Sequence, residues 1–387
     1  MVAARILALE ECDLAAGVSD VSALLDKRHY GVEDMLLRRF DALAPELRLL
    51  GKITYRQRLL IASYFTQEYS FEAAALFNPS AVLHPDQTGV AAGAVRFIMS
   101  LRAVGEGHVS SLSFRTGIWT PGGALEMDPI GPTTQPPKID WDAEGDPGLI
   151  RLHCGGSRVV SETVLFPMTE SQKQGIEDVR LVRFVDDDGT ATYYGTYTAF
   201  DGMVARSELL ISKDFRDFEV RSLCGDAVHN KGMALFPRKV GGRYAMLGRQ
   251  DAESIWFLQS TDALHWNGGV KTIEPRFPWE LVQMGNCGSP IEIDEGWLVF
   301  THGVGKVRNY AMGACLLDKN DPSRLLARTP RPIMAPTADQ RDGYVPNVVY
   351  SCGALAVGRH LLLPYAVADS FTAFAATTVD ALLERME

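Results

Sequence analysis

The 387-residue sequence is poor in several features that would each point to a protein class. Its six cysteines, Cys12, Cys154, Cys224, Cys287, Cys315 and Cys352, include no Cys-x-x-Cys pair and are scattered through apolar surroundings. Reduced thiols of a cytoplasmic protein are therefore expected, rather than disulfides or zinc ligands. There is no long Lys/Arg run, and 38 basic residues face 48 acidic ones, for a formal net charge of −10. That balance argues against an electrostatic nucleic-acid binder. No uncharged apolar stretch reaches the roughly 18 residues of a membrane span. At the start, Glu10 and Glu11 interrupt the apolar run before it attains the length of a secretory h-region. GxSxG, HExxH, GxxxxGK[ST] and a strand-borne GxGxxG are all missing, and the eight histidines show no metal-ligand spacing. Serine-esterase, zinc-hydrolase and nucleotide-binding classes are thereby disfavoured.

What is present is a globular composition, with 46% hydrophobic and 22% charged residues. Such a chain buries a large core and is not disordered. Two regions differ in pattern. Residues 1–76 read as a helical N-terminal extension. From Asp34, MLLRRFDALAPELRLL has helical apolar spacing with a break at Pro45, and Tyr55 to Phe77 runs without Gly or Pro until Asn78-Pro79. Residues 77–387 read as strands and tight turns. Four segments share a strand, a Gly-containing turn and a second strand: 180–200, 233–249, 289–304 and 353–368. A further strand follows each, and residues 94–117 fit a fifth copy. Equivalent positions near Tyr197, Leu247, Thr301 and Tyr365 are 50, 54 and 64 residues apart. That period, with three to four strands per unit, implies an all-β fold, a five-bladed β-propeller. SKDFRDF (212–218) and STDALHW (260–266) repeat a turn motif, and the Pro/Gly-rich 121–148 reads as a long insertion.

Folding each hairpin about its turn gathers polar residues at one end of the units. Turning at Gly241-Gly242 sets residue 234 opposite 249 and brings Lys231 and Arg249 to the same end. The same operation places His302 near Gly288 and Asp178 near Thr198. Glu177 and Asp178 are adjacent, so on an extended strand they point to opposite faces. In a propeller these ends surround one funnel, where two cations and a histidine suit a phosphate-sized dianion.

The sequence resembles glycoside hydrolase family 130, the inverting β-mannoside phosphorylases and related β-mannosidases. The resemblance runs from about Phe77 to the C-terminus, through FNPS (77–80), RFIMSLRA (96–103), GIEDVR (175–180), NKGMALFP (230–237), YAMLGR (244–249), GSPIEIDEGWLVFTHGV (288–304), YAMGACLLD (310–318) and YAVAD (365–369). It implies the five-bladed propeller already suggested by the hairpin count. It also implies Asp178 as the general acid, acting through a mannose hydroxyl, and Lys231, Arg249, His302 and Tyr310 as phosphate ligands. Asn78, Arg102 and Asp369 take the positions that hold the mannosyl unit. The helical region looks like an extension of longer members that is associated with homo-oligomer contacts. The chain departs from the family at Val179, where proline is usual, and at Gly232, where aspartate is usual, so linkage and acceptor are not carried over.

The implied reaction is a glycosyltransferase-type phosphorolysis, with inorganic phosphate as co-substrate and no metal or organic cofactor. An inverting hydrolase needs an acid and a base, whereas phosphate is itself a nucleophile and a second carboxylate would repel it. One acid beside a basic nest is therefore expected. Hydrolysis on the same scaffold is the alternative, with Glu253 as the glutamate that would support it. A non-catalytic sugar-binding propeller is a further alternative, which would favour stacking aromatics over a dianion site.

Overall fold

A computed structural model describes residues 2–47, 51–146 and 148–387. Residues 48–50 of the helical stretch and Pro147 of the insertion lie outside these described residues. Contacts divide the chain into two units, Met1–Ser70 with Gly131–Thr134, and Phe71–Ile130 with Gln135–Glu387.

The first unit contains the helices Val2–Leu7, Glu11–Leu25, Val32–Leu47 and Tyr55–Tyr64. Thr54 and Gln57 form a capping box that satisfies two otherwise orphaned donors at the start of the last helix. Leu14, Leu36, Phe40, Leu59, Leu60 and Ile61 form its core. Pro45 does not break its helix, which continues to Leu47. The helix expected from Tyr55 to Phe77 stops at Tyr64, and a strand begins at Ala75. The Thr66 hydroxyl donates to the Ala62 carbonyl at 2.9 Å, satisfying a terminal acceptor outside the helical ladder.

The second unit is built of antiparallel sheets of eleven, four, five and four strands. The hairpins expected from the Gly turns are present, for example Gly175–Val185 with Ala191–Phe200 and Ile291–Ile293 with Gly296–Val304. The eleven-stranded sheet is two antiparallel groups joined by one parallel pair, Ser110 with Gly175, so five antiparallel groups follow along the chain. Residues 138–140 of the insertion extend the second group by pairing with Ile150–His153. In both S-x-D turns the serine hydroxyl and the aspartate accept successive backbone N–H groups, at Ser212/Asp214 and Ser260/Asp262. The first and last groups are hydrogen-bonded to each other. Cys352 N–H donates to Pro79 O at 2.8 Å, and Leu76 N–H to Ser370 O at 2.9 Å.

Apolar residues pack between neighbouring groups, in clusters such as Phe236, Phe257, Met284 and Trp297. Each such side chain contributes roughly 1.5–3 kcal/mol by burial. All five groups contribute residues to one polar site and also to a larger, mostly apolar cavity of about 580 Å³.

Candidate active site

All eight residues singled out from the sequence line one polar cavity of about 210 Å³: Asn78, Arg102, Asp178, Lys231, Arg249, His302, Tyr310 and Asp369. Glu177, Arg180, Gly232, Gln283, Gly285, Asn286, Arg308, Val348 and Tyr350 complete the lining.

Backbone irregularities aim the key side chains. Glu177 pairs with Thr198 and Arg180 with Thr196, so Asp178 and Val179 together oppose one residue. Asp178 has φ 54°, in the left-handed region. The first group repeats the device, with a register shift between Phe77 and Ser80 and Asn78 at φ 49°. Such bulges re-aim side chains, and a left-handed non-glycine residue is held only where its surroundings demand it. The two bulge residues meet, Asn78 Nδ2 donating to Asp178 Oδ1 at 2.7 Å. Ala368 and Asp369, just past a strand end, both have φ 49°.

The bulge corrects one expectation. Glu177 and Asp178 do not point to opposite faces, and both line the cavity. Arg102 Nη2 donates to Glu177 Oε1 at 2.8 Å, and Lys231 Nζ to Glu177 Oε2 at 2.6 Å. Arg102 Nη1 lies 3.6 Å from Asp178 Oδ1. The nest is thus not free of acids, because Glu177 occupies Lys231. The lining still holds five cationic side chains, Arg102, Arg180, Lys231, Arg249 and Arg308, against three carboxyl groups. Its excess of positive charge is two.

Two registers also differ from the simple folding argument. Ala234 pairs with Leu247, not residue 249, because residues 237–239 bulge before the Val240–Arg243 turn. His302 pairs with Gly285, not Gly288. A Cβ on Gly285 would lie 2.6 Å from His302 Cε1, so glycine gives the imidazole its place.

Burial, with Arg249 and Arg180 nearby, holds His302 well below the usual histidine range, so the ring is neutral. It contributes hydrogen bonding rather than the positive charge that a protonated ring would add. Arg249 Nη1 lies 3.3 Å from His302 Nε2. An acceptor role for Nε2 leaves the proton on Nδ1, which is buried and has no partner among the described residues. Asn78 Oδ1, Arg102 Nε, Arg249 Nε and Asn286 Oδ1 are likewise buried without partners. Such orphans are costly unless a polar ligand or water satisfies them. Among the described residues Arg249 has no carboxylate partner. His302 stacks on Tyr310, with centroids 6.1 Å apart.

Arg180 is a scaffold cation inside the GIEDVR motif that sequence reasoning left without a role. It donates to Cys287 O at 2.9 Å, Asp178 O at 2.9 Å and Tyr350 Oη at 2.8 Å. For Asp178, burial acts to raise the carboxyl, and Arg102, Arg180, the Asn78 amide and Lys231 outweigh it. The net direction is down, so Asp178 is held as a carboxylate. Asp369 is pushed up to about 6, first by burial and then by Asp178, against the pull of Arg102 and Arg308. Burial pushes the Cys287 thiol up to about 12, which leaves it protonated and unsuited to nucleophilic attack. Glu253 is exposed and is not part of the lining. The site can therefore take a polar ligand carrying an anionic group, and has a carboxyl held beside it.

Comparison with known proteins agrees with this chemistry. The chain is 33% identical over 234 residues to β-1,2-mannobiose phosphorylase of Listeria innocua, a match covering 58% of this chain and 63% of that relative. It is 32% identical over 262 residues to β-1,4-mannooligosaccharide phosphorylase of Ruminococcus albus, covering 61% and 76%. The solved structure of the Listeria innocua enzyme with β-1,2-mannobiose superposes with a TM-score of 0.56 at 25% identity, over 81% of this chain and 92% of that one. The sequence model of glycoside hydrolase family 130, described as β-1,4-mannooligosaccharide phosphorylase, matches residues 155–387, and the chain belongs to this family.

Proposed function

We propose that the chain catalyses inverting phosphorolysis of terminal β-D-mannosides, giving α-D-mannose 1-phosphate and a shortened acceptor. The cation excess carries this reading, above all Arg249, which has no carboxylate partner among the described residues and stands beside a neutral His302. Phosphate would be held by Arg249, Lys231, His302 and Tyr310, with the mannosyl unit on Asn78, Arg102 and Asp369. Phosphate attacks the anomeric carbon while the bond to the leaving oxygen breaks. Asp178, a carboxylate before substrate binds, takes a proton from dihydrogen phosphate and passes it through a sugar hydroxyl to the leaving oxygen. The resulting hydrogen phosphate forms the bond to the anomeric carbon and leaves as the sugar phosphate monoanion, so the balance closes. No metal or organic cofactor enters the scheme.

The same reading takes the five strand groups as blades of a propeller. Each group contributes residues to both the polar and the apolar cavity, and the first and last groups are hydrogen-bonded. The free cysteines support a cytoplasmic location. Exposed Leu24 and Tyr64 on the helical unit support self-association through that unit.

Arg249→Ala separates phosphorolysis from hydrolysis. Phosphorolysis requires the apparent phosphate KM to rise at least about tenfold, the loss of a charge-assisted hydrogen bond, with a much smaller change in mannoside KM. Turnover with no phosphate dependence, before and after substitution, would support hydrolysis instead.

A further inference from the structure

Glu177 has no part in the reaction just described, yet it is 8% exposed and bonds two cations of the site. One carboxylate oxygen takes Arg102 at 2.8 Å and the other takes Lys231 at 2.6 Å. The two cations differ in how readily they change partner. Arg102 is fixed over the Phe77 ring, 5.2 Å from its centroid, and reaches toward Asp178 as well. Lys231 ends in a compact point charge on a flexible stem, with its side chain 41% exposed. Its backbone neighbour Gly232 has open space around it and φ 94°. The ammonium lies 5.6 Å from the Phe200 ring centroid, and its more exposed chain leaves that contact more readily than Arg102 leaves Phe77. A phosphate dianion in the cavity carries more charge and more acceptor oxygens than a carboxylate, and competes for that ammonium.

We propose that Glu177 is a positioning residue that holds Lys231 until phosphate takes the ammonium and then closes on Arg102 alone. The proposal rests on the phosphorylase reading and adds a coupling between its two half-sites. Released from Lys231, both oxygens of Glu177 can engage the Arg102 fork. The Arg102 arm that now lies 3.6 Å from Asp178 is thereby drawn away from it. Phosphate arrival thus loosens one of the cations that keep Asp178 ionised, at the stage where a proton donor is required. Glu177 therefore competes with phosphate for Lys231.

That competition gives a sign which a purely structural carboxylate would not. Inorganic phosphate is titrated calorimetrically into the full chain and into Glu177→Gln. The exchange predicts phosphate binding about fivefold or more tighter in the variant, the size of an ordinary coupling between sites. Phosphate KM should fall together with kcat. Equal or weaker phosphate binding by a variant that melts like the parent overturns the exchange. Should Glu177→Gln fail to fold, Glu177→Asp decides. Its shorter carboxylate reaches one cation at a time, so tighter phosphate binding supports the exchange and unchanged or weaker binding overturns it. The two readings fail separately. A parent chain that forms sugar phosphate while neither variant tightens sinks only the exchange. A parent that neither binds phosphate nor forms sugar phosphate sinks the phosphorylase reading with it.

Discussion

Asp178 carries the acid role of the proposed reaction, and it is held by its surroundings rather than by its own preference. A buried carboxyl ordinarily gains protons, but three cations and the Asn78 amide reverse that tendency here. Asp178→Asn preserves the shape and the Asn78 contact region while removing the transferable proton. Its kcat should fall by about 10³-fold, within the usual range for a general acid, with mannoside binding largely retained. An unchanged rate would remove Asp178 from the acid role. Asp369 behaves in the opposite way. Its folded value of about 6 lies above the ordinary 3.8, so the folded chain favours the protonated form. The associated stability is full below about pH 3.8 and is lost as pH rises through about 6. Asp369→Asn has no such titration. Relative to the parent, it should gain on the order of 2 kcal/mol between pH 4.5 and 7.5 in urea unfolding, and a pH-independent difference would contradict the shift. Asp178, Lys231, Arg249 and His302 were legible because folding the hairpins gathers them at one end, whereas Asn78, Arg102, Tyr310 and Asp369 were legible only through the family resemblance. Glu177 was weighed but assigned to one of two faces, since strand alternation gives no hint of a bulge at a residue other than glycine.

Strands and turns position these side chains, and here the sequence was legible in kind more than in register. Gly turns flanked by apolar runs located the five expected hairpins. The register of two hairpins was displaced, because Pro237 to Lys239 insert a bulge and because Gly285, not Gly288, lies opposite His302. The helix after Tyr55 was overextended, since its composition continued to favour helix beyond the Thr66 side-chain cap. Asn78 and Asp178, 100 residues apart, sit on equivalent bulges. That equivalence explains how Val179 can stand where the first group has Pro79, since the left-handed preceding residue sets the geometry in both. Gly285 offers the sharpest test of strand-level placement. Gly285→Ala puts a methyl 2.6 Å from His302 Cε1 and 3.3 Å from Arg249 Cδ. Phosphate affinity should drop at least about tenfold from a misplacement of this size while circular dichroism stays unchanged. Normal phosphate affinity would show that this pair does not form the anion site.

Across the whole molecule, five sequential strand groups bring distant segments to one polar cavity. Nothing local in the sequence contains that convergence; it follows from repetition, and the repeat was visible as a spacing of hairpins. The contact between the first and last groups is less legible, because it rests on backbone bonds such as Cys352 N–H to Pro79 O. The fold thereby assembles a cation excess that no single strand possesses. If that excess serves inorganic phosphate, water should be a poor substitute nucleophile. The direct measurement is product analysis by phosphorus NMR and sugar chromatography after incubation with β-1,2- and β-1,4-mannobiose, with and without phosphate. Phosphorolysis predicts α-mannose 1-phosphate from at least one disaccharide, formed only when phosphate is present, with little free mannose beyond the released acceptor. Equal mannose release in both conditions, with no sugar phosphate, would contradict it.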